Sequence, residues 1–203
     1  MLLVEGKDEV NVLDAICVRK GITTPAIKEQ QGIERLLNVL PVFLKGSDID
    51  SLGVIIDCDT STAASWAALK ARLEGAGFDM VPNEPDLSGT ILLPPQRSYL
   101  PRVGVWLMPD NSSKGILEDF LRFMVPSARL WDYAKSCLVG IPNEEVRFSD
   151  LDRPKALIHT WLAWQEEPGR PFGTAIRARF LNTDVPEVDV FASWLRRLFD
   201  PQR

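Results

Sequence analysis

The sequence predicts an α/β fold: a parallel sheet flanked by helices, with an edge hairpin and a helical C-terminal annex. Three observations carry this. Strand-like and helix-like segments alternate from residue 2 to about residue 74, the order that builds a parallel sheet. The run Leu52 to Ile56 is aliphatic without polar alternation, as in a strand buried on both faces. After Pro126 the apolar spacing turns helical almost throughout. The expected division is a core over residues 1–125 and a mainly helical extension over 126–203 packed on it.

Each element follows from local pattern. Leu2 to Val4 is an apolar run that meets charge at Glu5. It is short against the ~5–6 residues of an average strand, so the chain reads as entering its first strand partway. Val10, Val12, Leu13, Ile16 and Cys17 recur at helical spacing from Asp8 to Lys20, and Gly21 supplies the stop. Ala26 to Glu29 reads as a short strand. Ile33, Leu36, Leu37, Leu40 and Leu44 trace a helix, expected to break or kink at Pro41 because proline removes a hydrogen bond. After Leu52–Ile56, a helix from Ala63 to about Glu74 is closed by Gly75 and Gly77. Ile91–Leu93 and Val103–Met108 pair as a long-looped hairpin at the sheet edge, with Pro94, Pro95 and Pro101 between them. Asp110–Ser113 forms a turn able to cap a helix from about Gly115 to Met124. Helices are expected again at 154–166 and 188–199, with a loop near 140–152.

Composition narrows the function classes. Of 203 residues, 45% are hydrophobic and 25% charged, as in ordinary globular proteins. No apolar run approaches the ~20 residues of a membrane helix. MLLVEGKDE meets charge after four apolar residues, too few for a signal peptide. Cys17, Cys58 and Cys137 are scattered and read as reduced thiols of a cytoplasmic protein. The net charge is −5, which argues against coating nucleic acid by bulk electrostatics. Residues 1–150 hold 15 Lys+Arg against 21 Asp+Glu, and residues 151–203 hold 8 against 7. An acidic front half suits carboxylates neutralised by cations; it suits a plain acidic surface equally.

The leading chemical signal is Asp57-Cys58-Asp59 at the end of a buried strand. Ligands in α/β sheets sit beyond the carboxyl ends of strands. Two carboxylates two residues apart share a face in extended backbone, and Mg²⁺ takes carboxylates plus phosphate oxygens. Glu5 ends the first strand and is placed for the same edge, with Gly6 permitting a tight turn. Glu9 is one helical turn further on; a favourable charge at a helix N-terminus explains it nearly as well.

LLVEGKDE, followed by an aliphatic strand ending in DCD, resembles the TOPRIM domain shared by topoisomerases, bacterial primases, recombination-mediator proteins and OLD-type nucleases. The second acid of EGKDE is similar to the OLD-like branch. GVWLMPDNSSKGILEDFL and HTWLAWQEEPGRPFG resemble a small TOPRIM-related family of bacteria and archaea, catalogued as a domain of unknown function (3226). The resemblance implies a TOPRIM/Rossmann-like fold. It implies Glu5 as general acid or base, and Asp57 and Asp59 on Mg²⁺ or Mn²⁺. Glu9 and Glu118 match the acids that hold a second metal in OLD-like enzymes. Lys155, with Lys114 as runner-up, matches their lysine. The ATPase domain of many OLD proteins is lacking here, so ATP-driven control would come from another chain.

The other candidates have competing readings. Glu118 is spaced i, i+4 from Lys114 and Arg122, as on a solvated helix face. Asp110 and Asn111 are outer-shell ligands or turn residues. Arg170, Arg177 and Arg179 lie between Pro168 and Thr183 without an acid among them; they position a nucleic-acid backbone or form plain surface. His159 is a general base or a packed helix residue. Trp161 and Trp164 stack on bases or fill a buried stripe.

Three functions follow. The leading one is a Mg²⁺- or Mn²⁺-dependent nuclease acting on nucleic acid; no zinc-binding segment supports a primase. VIIDCDT also resembles the first motif of haloacid-dehalogenase-type phosphatases, with Ser61 at the usual Thr/Val position. No second acidic pair directly follows an aliphatic strand, and those enzymes leave Glu5 without a role. The third is a non-catalytic metal- or nucleotide-binding partner of a separate ATPase in phage defence. Membrane partners are not expected, and oligomerisation stays open.

Overall fold

The computed structural model describes residues 1–46 and 48–200. Its sheet contains β1 (Leu2–Val4), β2 (Ile27–Glu29), β3 (Ser51–Ile56), β4 (Thr90–Leu92) and β5 (Arg102–Leu107). Their order is β2-β1-β3-β5-β4. All neighbours are parallel except β4 and β5, which pair antiparallel with Ile91 opposite Gly104 at the edge. The fold is α/β, with one antiparallel edge pair on a parallel sheet.

The period-2 alternation of strands sorts side chains into two cores. Leu3, Val54, Ile56, Val105 and Leu107 face α2 (Ile33–Leu44) and α3 (Thr62–Ala76). Leu2, Val4, Ile55 and Trp106 face α1 (Lys7–Lys20) and α8 (Pro186–Phe199). That second core continues through α4 (Leu117–Phe123), α5 (Ala128–Val139), α6 (Arg153–Leu162) and α7 (Phe172–Arg177). Phe120, Trp131, Trp161 and Phe172 belong to it, so residues before and after 125 share one apolar cluster.

α8 approaches the sheet closely because two strand positions lack a side chain. A Cβ on Gly104 would lie 2.6 Å from Leu198 of α8, and one on Gly53 would lie 3.1 Å from the same side chain. Trp106 meets Phe191 edge-on at 4.9 Å and Trp194 at 5.6 Å, favourable geometry for aromatic pairs.

Several local expectations are corrected. α2 runs unbroken through Pro41. Proline deprives the Leu37 carbonyl of its helical donor, and Arg72 Nε donates to that carbonyl instead at 3.1 Å. α3 passes through Gly75 and stops only at Gly77, whose φ of 113° suits glycine. α4 starts at Leu117, not Gly115, and Asp110 does not cap it. Asp110 instead accepts the N–H groups of Ser112 and Ser113 at 3.0 and 2.7 Å within its own turn. α6 ends at Leu162, short of 166, and α7 occupies part of a stretch whose start read as loop. Among the described residues no helix is long and apolar enough to cross a membrane.

Candidate functional site

The chain leaves β1 for β2 on one side and returns to β3 on the other. The carboxyl ends of β1 and β3 therefore flank the point where strand order reverses, where α/β sheets bind ligands. Glu5 follows β1, and Asp57 follows β3. A cleft of about 550 Å³ opens there, lined by Glu5, Glu9, Asp57, Asp59, Glu118 and Lys155 among others.

Backbone donors hold this edge together. The Asp57 N–H donates to Glu5 Oε1 at 2.7 Å. Asp57 Oδ1 in turn accepts the Leu117 N–H at 3.0 Å. That amide faces Asp57 because one interaction docks the start of α4 against the end of β3 and a second caps the helix itself. Cys58 and Gly115 exchange backbone hydrogen bonds of 2.8 and 2.9 Å, and Asp119 Oδ2 accepts the Ile116 N–H at 2.9 Å. Gly115 cannot carry a side chain, since a Cβ would stand 2.7 Å from Asp119 Oδ2.

Glu118, next along α4, is 4% exposed and 3.7 Å from Lys155 Nζ. The solvated-face alternative for Glu118 is thereby overturned: Lys114 precedes the helix, and Glu118 points inward. Glu9 is 8% exposed on the first turn of α1. Gly6 serves it through space and not through unusual backbone. Its φ is an extended −142°, but a Cβ there would sit 3.1 Å from Glu9 Oε2.

The acids raise one another's pKa. Burial pushes Asp57 up to about 9, with the charges of Glu5, Glu9, Glu118 and Asp59 adding to it. Burial also lifts Glu5 to about 7, against the Asp57 N–H, which favours its charged form. Glu9 and Glu118 are raised by burial, and the Lys155 ammonium works against the shift in both.

The donors fit a hard divalent cation in kind, since carboxylate oxygens are what Mg²⁺ takes. Buried acids raising one another's pKa are also the groups whose charge a cation would offset. Among the described residues, however, no three His, Cys, Asp or Glu side chains already form a ready metal-ligand set. Closing one requires side-chain rotation, for which exposed Asp59 has room.

Other candidates fall outside the cleft lining. Arg170 pairs with Glu167 and lies over Phe180. Arg177 pairs with Asp14 of α1, and Arg179 is exposed with φ 64°. None of the three lines the cleft, and neither does exposed Lys114. Asn111 is buried and accepts the Leu107 N–H at 2.8 Å, closing β5. His159 stacks on Phe172 at 4.9 Å; burial lowers its pKa while Asp8 pulls it up. Trp161 is buried, whereas Trp164 lies beyond the end of α6 and is 42% exposed. Ser61 caps α3 by accepting the Ala64 N–H at 3.2 Å.

Sequence reasoning missed part of the wall. Lys7, Asp8, Gln31 and Gly32 line the cleft, as do Ser149, Leu151 and Asp152. Lys7 and Asp8 were legible as neighbours of Glu5 and Glu9. Ser149 caps a 3₁₀ turn, Asp150–Asp152, that leads into α6, and this stretch carries no periodic signal. Gln31 adopts φ 60°, a conformation no sequence pattern marks for glutamine.

No curated protein and no solved structure shows a significant match to the chain. One family model, described as Protein of unknown function (DUF3226), matches residues 1–200. That span takes in the whole sheet, all the flanking helices and every acid of the cleft. The chain therefore belongs to the DUF3226 family.

Proposed function

We propose that the protein is a divalent-metal-dependent phosphodiesterase, a nuclease of OLD-like TOPRIM type. The observation that carries this is the gathering of Glu5, Glu9, Asp57, Asp59 and Glu118 at the carboxyl ends of β1 and β3. So many acids in one partly buried place are stable together only with protons or cations between them. Asp57, Asp59, Glu9 and Glu118 would hold Mg²⁺ or Mn²⁺, which would stabilise charge on the oxygens of a phosphodiester displacement. Glu5, held beside Asp57 by that residue's N–H, suits a general acid or base. Lys155 would complement the phosphate charge. A separate ATPase chain would supply any ATP-dependent control.

The phosphatase reading uses Asp57 and Asp59 alone and leaves half-buried Glu5 and buried Glu9 and Glu118 unexplained. The test is cleavage of plasmid DNA and of bis(4-nitrophenyl) phosphate with Mg²⁺ or Mn²⁺, with EDTA, and in Asp57→Ala. Metal-dependent cleavage lost in the variant is expected. Inertness towards every diester overturns the proposal, and turnover of 4-nitrophenyl phosphate alone would install the phosphatase reading.

A further inference from the structure

Resting on the phosphodiester reading, we infer that the cleft takes short substrates, such as a dinucleotide or an oligonucleotide of a few residues, and does not track a long strand. Long nucleic acids are held chiefly by Lys and Arg contacts to successive phosphates. The cleft is built the other way. Its lining holds seven carboxylates, those named above together with Asp8 and Asp152, against two lysines, Lys7 and Lys155. Lys155 is already matched to Glu118 at 3.7 Å.

At the rim, Arg35 is bound to the Gln31 side chain and Lys114 stands exposed beside the Cys58–Gly115 bridge. These add two positive charges. One or two divalent ions would bring the whole close to neutrality, enough for one reacting phosphate and without surplus for its neighbours. Among the described residues no arginine of the C-terminal segment lines the cleft. Arg170 and Arg177 are ion-paired outside the cleft lining, and Arg196 and Arg197 donate to the backbone of Lys20 and Ser88.

What the wall offers instead is neutral. Gln31, Ser149 and Leu151 line the mouth, and Leu151 is 55% exposed. Such groups contact a base or a sugar and ignore charge. The cleft volume of about 550 Å³ falls in the about 300–1,000 Å³ range of small-molecule pockets.

The experiment measures binding by calorimetry, with Glu5→Gln protein and Mg²⁺ so that the ligand survives. The ligands are a dinucleotide and a 20-mer, each in deoxy and ribo form, at 50 and 200 mM salt. Expected per linkage is an affinity for the 20-mer within about tenfold of that for the dinucleotide. Both should weaken by only about three- to sevenfold across the salt range, as for one or two phosphate contacts to a single strand. A 20-mer preference above tenfold per linkage, or a salt loss above about tenfold, as for more than two phosphate contacts, overturns the inference. Wild-type cleavage of bis(4-nitrophenyl) phosphate, read in parallel, separates the two failures. If the diester is cut but the 20-mer dominates binding, only the substrate class is wrong. If no diester is cut, the phosphodiester reading fails and this inference with it.

Discussion

The backbone N–H of Asp57 donates to the side chain of Glu5 across 2.7 Å, joining the ends of β1 and β3 through an interaction spanning 52 positions of sequence. The same Asp57 presents its carboxylate to the N-terminus of α4. Two of the cleft's acids are thus structural partners as well as chemical ones, and this shapes what each substitution should do.

Glu5→Gln keeps the oxygen that accepts the Asp57 N–H and removes the charge. The fold should survive, with circular dichroism unchanged. Diester cleavage should fall about 10²–10⁴-fold, the usual contribution of a general acid or base. Cleavage within tenfold of wild type would remove Glu5 from the mechanism.

Asp57→Asn should stabilise the metal-free protein at alkaline pH. The folded-state pKa of Asp57 is raised to about 9 and that of Glu5 to about 7. Between the unfolded values near 4 and these, the native state binds more protons than the unfolded one. Stability from these groups therefore falls as pH rises through that window. In EDTA the wild-type Tm should drop between pH 5.5 and 8.5, and Mn²⁺ should restore it more at pH 8.5. The Asn variant should melt higher than wild type at pH 8.5, by about 2–4 °C for each kcal/mol relieved. A wild-type Tm in EDTA that rises from pH 5.5 to 8.5, with no gain in the variant, would contradict this.

Lys155→Met should lower both stability and turnover. The Lys155–Glu118 pair is 3.7 Å long with its lysine half exposed and its carboxylate buried, so its loss should cost about 1–3 kcal/mol. Turnover should also fall at least about tenfold, the effect of about 1.4 kcal/mol on a barrier. Thermal melting and diester cleavage measured on one preparation check both halves.

Gly173→Ala tests the packing that holds α7 against α1. A Cβ there would lie 2.5 Å from the Asn11 carbonyl oxygen. Backbone cannot yield as a flexible side chain does, and overpacking of this kind costs about 1–3 kcal/mol. The Tm should fall by several degrees, at about 2–4 °C per kcal/mol in a chain of this size. An unchanged Tm would show that α7 moves away freely.

The parallel sheet was legible because its evidence is local. Leu52 to Ile56 carries no polar residue, and strands buried on both faces require that. The first polar residue after that run is Asp57, which places it at the strand's end with no help from tertiary contacts. Glu5 was legible in the same way, as the first charge after an apolar run. Pro41 does not end α2, and the Leu37 carbonyl it leaves without a helical donor is taken up by Arg72, 31 positions from the proline, a donor no local rule contains.

What the sequence determined alone was the set of strands and the acids at their ends, since both follow from short unbroken apolar runs and from where polarity begins. The tertiary structure decided which acids share a site. Glu118 turned inward because the Cys58–Gly115 bridge docks the start of α4 on the end of β3. Lys155 reached it across 37 positions because α6 packs on α4 through a common apolar core. Such meetings depend on the summed packing of distant segments, which no window of sequence contains.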